Sequence, residues 1–406
     1  MFFFGASTSS HQVEGGNRND WSEWELKTAG EKVLKAKGKR WPDHLANLRP
    51  SPMDEDNYVS GRASDHYNRY GEDFEIAKKL GHNAHRFSLE WSRIEPEEGR
   101  FNEKEIEHYR RVIAALRVRG LEPFVTLWHW TMPIWFVQKG GWENKENIKF
   151  FSRYADKVAS ELGSDINFWL TLNEPEVNSS MAYISGEWPP NKKSLFKYWC
   201  VINNLIKGHR SAYELIKTRF PKANVGIAKN NFFFQSAGGP INNLKKFFSD
   251  WWWNHYFLNN IKDHQDFIGL NYYFHREYGA EIQNPTSDLG WEICTDGIYP
   301  VLLDLKRYGK PIYITENGLA DARDIYRESF IRKTLERVWK AIGEGVDVRG
   351  YFHWSLLDNF EWADGFWPRF GLVSIDYETL ERNIRPSALA YKKLIEEWGK
   401  DTVGKK

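Results

Sequence analysis

Two short segments place a glutamate beside an asparagine at the end of an apolar run: Thr171-Leu172-Asn173-Glu174-Pro175 and Ile314-Thr315-Glu316-Asn317-Gly318. Facing carboxylates suit glycoside hydrolysis, in which one protonates the leaving oxygen and the other attacks the anomeric carbon or activates water. Other polar and aromatic residues end apolar runs in the same way. They occur in Ser10-His11-Gln12-Val13-Glu14, Arg86-Phe87-Ser88 with Glu90-Trp91, Leu127-Trp128-His129-Trp130, Leu270-Asn271-Tyr272-Tyr273 and the stretch from His353-Trp354 to Glu361-Trp362. A single such glutamate is more often a loop residue or half of an ion pair, and a single histidine a satisfied core group. Packing alone does not put Gln, Arg, His, paired Asn and Glu and a Glu-Trp pair at the same end of successive runs. Glu14, Glu90 and Asp358 are expected in supporting or structural positions.

The elements that must carry these residues are eight β-rich runs: Phe2 to Ser7, Ala84 to Trp91, Leu121 to Trp128, Ile166 to Leu172, Asn224 to Ala228, Phe267 to Tyr273, Ile312 to Thr315 and Arg349 to Ser355. Their apolar positions are nearly continuous, as in parallel strands covered on both faces. Amphipathic stretches lie between them, among them His66 to Leu80, Glu103 to Arg119, Lys145 to Leu162 and Ile325 to Gly343. With no linker and no fixed-period repeat, the alternation predicts one α/β domain over residues 1–406, a (β/α)8 TIM barrel with its active site at the C-terminal ends of the strands. The carboxylates then stand three strands apart on the ring. The fifth run, ending near Lys229-Asn230-Asn231, contributes least. Lys27 to Arg40 reads as a solvated loop or helix on the rim, Asn191 to Lys193 as loop and Lys400 to Lys406 as a frayed end.

Composition narrows the function classes. With 56 Lys+Arg against 55 Asp+Glu, the net charge of +1 lacks the basic excess of a nucleic-acid binder. Mean hydropathy is -0.64 and no apolar run nears the ~20 residues of a membrane span. No HExxH, CxxC or Gly-rich phosphate loop occurs, so neither metal nor cofactor is expected. Met1 to Gly5 has no basic n-region, which predicts a cytoplasmic protein. Cys200 and Cys294 are expected to be two buried free thiols. The 20 tryptophans exceed what a core needs and suggest a surface that stacks on flat ligands. Trp128, Trp130, Trp354 and Trp362 end strands, and Trp135, Trp142, Trp188 and Trp291 are expected at the entrance. Trp169, Trp251 to Trp253, Trp339 and Trp398 are assigned to packing.

Taken in order, Asp20-Trp21-Ser22, Arg86-Phe87-Ser88 with Trp91-Ser92-Arg93-Ile94, His129-Trp130, the two glutamate segments, Asn271-Tyr272-Tyr273 and Trp354 to Trp362 resemble glycoside hydrolase family 1, the β-glucosidase family, over nearly the whole chain. The resemblance implies that Glu316 is the nucleophile and Glu174 the acid/base with a raised pKa, giving retention, which needs carboxyls roughly 5–5.5 Å apart. Arg86 is then expected beside Glu316, keeping it ionised, with Tyr273 hydrogen-bonded to the same carboxylate. Gln12, His129, Asn173 and Glu361 are expected to grip the sugar hydroxyls, Asn173 at the 2-OH, and Trp362 joins Glu361. Trp354 is the expected stacking floor, and Trp130, Asn271 and Phe370 complete the substrate-binding set.

The implied activity is a retaining exo-β-glycosidase releasing terminal β-D-glucosyl residues from small-molecule glycosides and short oligosaccharides. Galactosides and fucosides are implied as side substrates, because Gln12 and Glu361 can serve either epimer at the 4-OH. Glu361 would repel a 6-phosphate, and Glu174 in place of a glutamine favours O-glycosides. The chain is short for the family between Gly226 and Asn271 and after Glu316, which predicts an open aglycone side. A sugar-binding barrel without catalysis would need neither glutamate. A transglycosylase would use the same intermediate with a sugar acceptor.

Overall fold

In the computed structural model, which describes residues 1–281 and 284–403, all eight runs are strands of one closed parallel barrel. They are β1 (Phe3–Ser7), β2 (Ala84–Ser88), β3 (Glu122–Trp128), β4 (Phe168–Asn173), β5 (Asn224–Asn230), β6 (Ile268–Asn271), β7 (Ile312–Gly318) and β8 (Val348–Trp354). Each pairs with its sequence neighbours and β8 closes on β1, so the fold is a (β/α)8 barrel. Near the strand starts the lumen is filled by Phe3, Phe124, Phe168, Tyr313 and Phe352, with Phe124 stacked on Phe168 at 4.2 Å between centroids. The outward residues of the same strands, such as Val125, Leu127, Trp169 and Ile314, pack against the surrounding helices.

Strand register brings the polar residues to one level. Ser7 pairs with Arg86 and Trp354, Asn230 with Asn271, and Asn271 with Glu316. Both glutamate-bearing strands carry an extra residue just before the glutamate. Between Ile314 and Glu316, β7 advances two residues while β6 advances one, from Leu270 to Asn271. Likewise β4 takes three steps from Leu170 to Asn173 against two in β5. Such bulges bend a strand and re-aim its side chains. Gly318 closes the second segment because a Cβ there would stand 1.9 Å from the Trp354 carbonyl oxygen.

The helical stretches appear at His66–Lys79, Glu103–Arg117, Ile148–Leu162 and Arg327–Gly343. Lys27 to Arg40 resolves mostly into the end of a helix at Asp20–Lys37, started by a reciprocal Asn19–Ser22 cap. Asn191 to Lys193 is loop. The tail is helical through Val403 rather than frayed from Lys400, and residues 404–406 lie outside the described residues. The two cysteines are free as expected but half-buried rather than buried. Glu14 pairs with Arg93 at 2.9 Å and Asp358 with Arg385 at 2.8 Å, while Glu90 accepts from Ser10, Ser92 and Thr131.

Candidate active site

Glu316 projects from the bulged end of β7. Its Oε1 accepts from the Arg86 guanidinium and its Oε2 from the Tyr273 hydroxyl at 2.9 Å. Arg86, fully buried on β2, also donates to Thr126 Oγ1 at 3.1 Å and Asn173 Oδ1 at 2.7 Å. Burial nevertheless dominates, and the Glu316 carboxyl lies above its ordinary value although Arg86 pulls it down. The ion pair expected from the sequence is present; its net effect on the titration is partial compensation.

Glu174 sits at the N-cap of a short helix, Pro175–Ser180, with φ 40° and ψ 60°. A left-handed non-glycine residue stores strain on the order of 1–3 kcal/mol, and such residues cluster at functional sites. Its Oε1 accepts the amide of Asn271 at 2.8 Å and that of Asn230 at 3.1 Å. Burial and then the charge of Glu316 push its carboxyl up to about 8, against those two hydrogen bonds.

The remaining residues form a continuous lattice around the glutamates. Asn173 Nδ2 donates to His129 Nε2 at 3.1 Å, so the proton of the neutral ring belongs on Nδ1. That Nδ1 has no protein partner among the described residues, and burial keeps the ring far below its ordinary pKa. The His129 ring lies nearly parallel to Trp354 and Trp362, at 6.1 and 6.0 Å. Gln12 Nε2 donates to Asn359 Oδ1, the Phe360 carbonyl and, at 3.3 Å, Glu361 Oε2. Burial, with Asp364 and both glutamates nearby, holds Glu361 well above the carboxylate range. Phe370 packs with Trp354 and Trp291.

A cavity of about 390 Å³ lies over this lattice and is lined by Gln12, His129, Trp130, Glu174, Tyr273, Glu316, Trp354, Glu361, Trp362 and Phe370 among others. Asn173 and Asn271 are less directly placed than expected. Asn271 donates to Glu174 and accepts from Thr315, while Asn173 is held between Arg86 and His129. Asn230 was missed; its signal was the polar end of the weakest run, Lys229-Asn230-Asn231.

Several tryptophans change address. Trp128 is core, edge-on to Trp142 at 5.6 Å, and Trp135 packs on Phe150. Neither Trp135 nor Trp142 is at the cavity mouth, whereas Trp188 and Trp291 do line it. Of the Trp251 to Trp253 run, Trp253 joins the lining and donates to Asn230 Oδ1 at 3.3 Å. The three lie on a π-helical turn, Asp250–His255, where successive side chains point in different directions, so one of three adjacent rings can face the cavity while the others do not.

The model of Glycosyl hydrolase family 1 matches residues 1–236 and 242–400. The chain belongs to this family. It is similar to Beta-glucosidase A of Thermotoga maritima, with 34% identity over 451 positions covering 98% of this chain and 97% of that one. It is 32% identical to a 1,4-beta-D-glucan glucohydrolase of Thermotoga neapolitana, covering 98% of each. Among solved structures, a beta-glycosidase from Pyrococcus horikoshii superposes with a TM-score of 0.86 at 40% identity, covering 97% of this chain and 93% of that one. The Thermotoga maritima β-glucosidase bound to glucoimidazole gives 0.86 at 31%, covering 97% and 98%. The protein is therefore a glycoside hydrolase of family 1. Alignment over 451 positions against a chain of 406 residues means that the Thermotoga maritima relative carries insertions absent here.

Proposed function

We propose that this family 1 enzyme is a retaining exo-β-glucosidase acting by double displacement. The contrast between the two glutamates carries the reading: Glu316 is tied to a guanidinium, while Glu174 receives only neutral amides and titrates near 8. The carboxyl that must hold a proton and the one that must be an anion are thereby distinguished. An oxygen of Glu316 attacks C1 as the C1–O bond breaks, and Glu174 gives its proton to the departing oxygen. Water then loses a proton to Glu174, its oxygen bonds to C1, and the Glu316 carboxylate is released. The His129 Nδ1 proton, Gln12 and Glu361 face the sugar hydroxyls, and Trp354 lies under the ring. Arg86 orients Glu316, and Asn173 is held for the 2-OH.

Glucosides are the main substrates, with galactosides and fucosides accepted through the Gln12–Glu361 pair. Residues 1–406 act as one cytoplasmic catalytic domain that needs no cofactor. The lacking loop insertions leave the aglycone side open, so aryl glycosides and disaccharides should both turn over.

The test is hydrolysis of nitrophenyl β-glucoside, β-galactoside and β-fucoside by wild type and Glu174→Ala, with and without azide. Glu174→Ala should keep part of its turnover on the activated leaving group and yield β-glycosyl azide. An α-azide product would overturn double displacement through Glu316.

A further inference from the structure

The helix Pro240–Ser249, between β5 and β6, presents its faces in reverse: none of its ten residues is buried. Its polar side meets the protein. Asn242 lies against Gly279, where an added Cβ would stand 2.3 Å from its amide, and Ser249 Oγ hydrogen-bonds to the Tyr278 hydroxyl at 2.6 Å. Its apolar side faces water, with Ile241, Leu244, Phe247 and Phe248 exposed and Trp251 extending the stripe on the next turn. A surface helix ordinarily buries such a face.

The stripe continues onto the start of the Leu195–Arg219 helix, where Leu195, Phe196 and Trp199 are exposed. Trp199 stacks on Trp252 at 5.1 Å between centroids, and Trp252 lies 6.2 Å from Trp251. The eight exposed side chains of this surface are 44% to 77% accessible. At roughly 150–250 Å² for each large side chain, they present on the order of 900 Å² of apolar surface. The largest apolar patch of a typical monomer is ~300–600 Å², and each partner in a standard protein interface gives ~800 Å².

Spacing and size point to the occupant. Ile241, Leu244, Phe248 and Trp251 follow the three-and-four spacing of a seam between two helices. The smaller side chains, Ile241 and Leu244, lie at one end of the stripe and the rings of Phe248 and Trp251 at the other. Laid against a reversed copy of itself about a twofold axis at residue 246, the stripe sets Ile241 against Trp251 and Leu244 against Phe248. Small then opposes large along the whole seam, and Lys245 opposes Phe247 rather than its own copy. A lipid surface requires no such reversal of sizes. At the patch edge Lys192 and Lys197 are already paired with Glu143, at 2.5 and 2.8 Å, instead of being left for acidic headgroups.

We propose that this face is covered by a second copy of the chain, in an isologous dimer whose Pro240–Ser249 helices pack antiparallel. Trp253, two residues beyond Trp251, lines the catalytic cavity, so the seam adjoins the wall of each active site. The dimer does not depend on the reaction proposed above.

Mass and cross-linking decide it. Analytical ultracentrifugation of the full chain at micromolar concentration should give one species of about twice 47.8 kDa. Leu244→Asp combined with Phe248→Asp should raise the dimer dissociation constant by about a hundredfold or more. The same variant should keep the wild-type far-ultraviolet circular dichroism, which reports intact folding. Leu26→Asp, at an exposed apolar site on the Asp20–Lys37 helix, should leave the dimer unchanged. For the orientation, Leu244→Cys protein mixed with Phe248→Cys protein should cross-link under mild oxidation well above either protein alone and above the wild-type background from Cys200 and Cys294. A monomeric wild type, a double aspartate variant that still dimerises, or a monomer that sediments with phosphatidylcholine vesicles would overturn the second copy as occupant. Cross-linking as strong within either protein alone as in the mixture would overturn the antiparallel seam.

Discussion

The two ends of one barrel solve opposite problems. At the strand starts, Phe3, Phe124, Phe168, Tyr313 and Phe352 fill the lumen with rings, of which only Tyr313 takes a polar partner, Arg349. At the strand ends, the same tube holds Arg86, Asn173, Asn271, Glu316 and Glu174, all buried and all linked by hydrogen bonds. The first arrangement gains stability from apolar area removed from water. The second burdens stability, since two carboxyls are held above their ordinary pKa by burial. Stability is supplied at one end and chemistry at the other, and substitutions should separate the two.

The largest separation is expected from Glu316→Ala, which should lower kcat on nitrophenyl β-glucoside by on the order of 10⁴-fold or more while leaving the urea midpoint close to wild type. Phe124→Ala should do the reverse, costing about 3–5 kcal/mol in urea unfolding with little change in KM for the folded fraction. An equal loss of stability in both variants would erase the contrast.

Glu174→Gln sharpens it through pH. A carboxyl raised from 4.5 to about 8 on folding stabilises the native state fully below the unfolded pKa, and that contribution is lost as pH rises toward 8. Wild type and Glu174→Gln should therefore unfold alike at pH 4, and the variant should be more stable by a few kcal/mol at pH 8. The smallest effect is expected from Asn230→Ala, about tenfold or less in kcat/KM. Because the Asn230 amide favours the Glu174 anion, its removal should move the alkaline limb of the kcat/KM profile upward from about pH 8. A downward shift would contradict the hydrogen bond seen at Oε1.

Most of the barrel was legible because each strand is an apolar run ended by polar residues, a pattern that survives in one dimension. Asn230 was nearly invisible, since its run ends in a Lys-Asn-Asn segment that reads as ordinary loop. Trp128 and Trp253 were exchanged for a related reason: each belongs to a local aromatic cluster, and only its direction from the backbone decides between core and cavity. The same holds for Asn271, whose place at a strand end was readable while its hydrogen bond to Glu174 was not.

By itself the sequence determined the barrel, the pair of glutamates proposed to react and the side of the barrel where they lie, because strand periodicity and short motifs are local properties of the chain. Only the tertiary structure decided how the glutamates differ. Register shifts in β4 and β7 aim them. Burial then raises both carboxyls, and a guanidinium from another strand opposes that rise at Glu316 through a direct ion pair and at Glu174 only through its charge. Electrostatic environment is a sum over groups that are distant in sequence, so no local reading of the chain contains it.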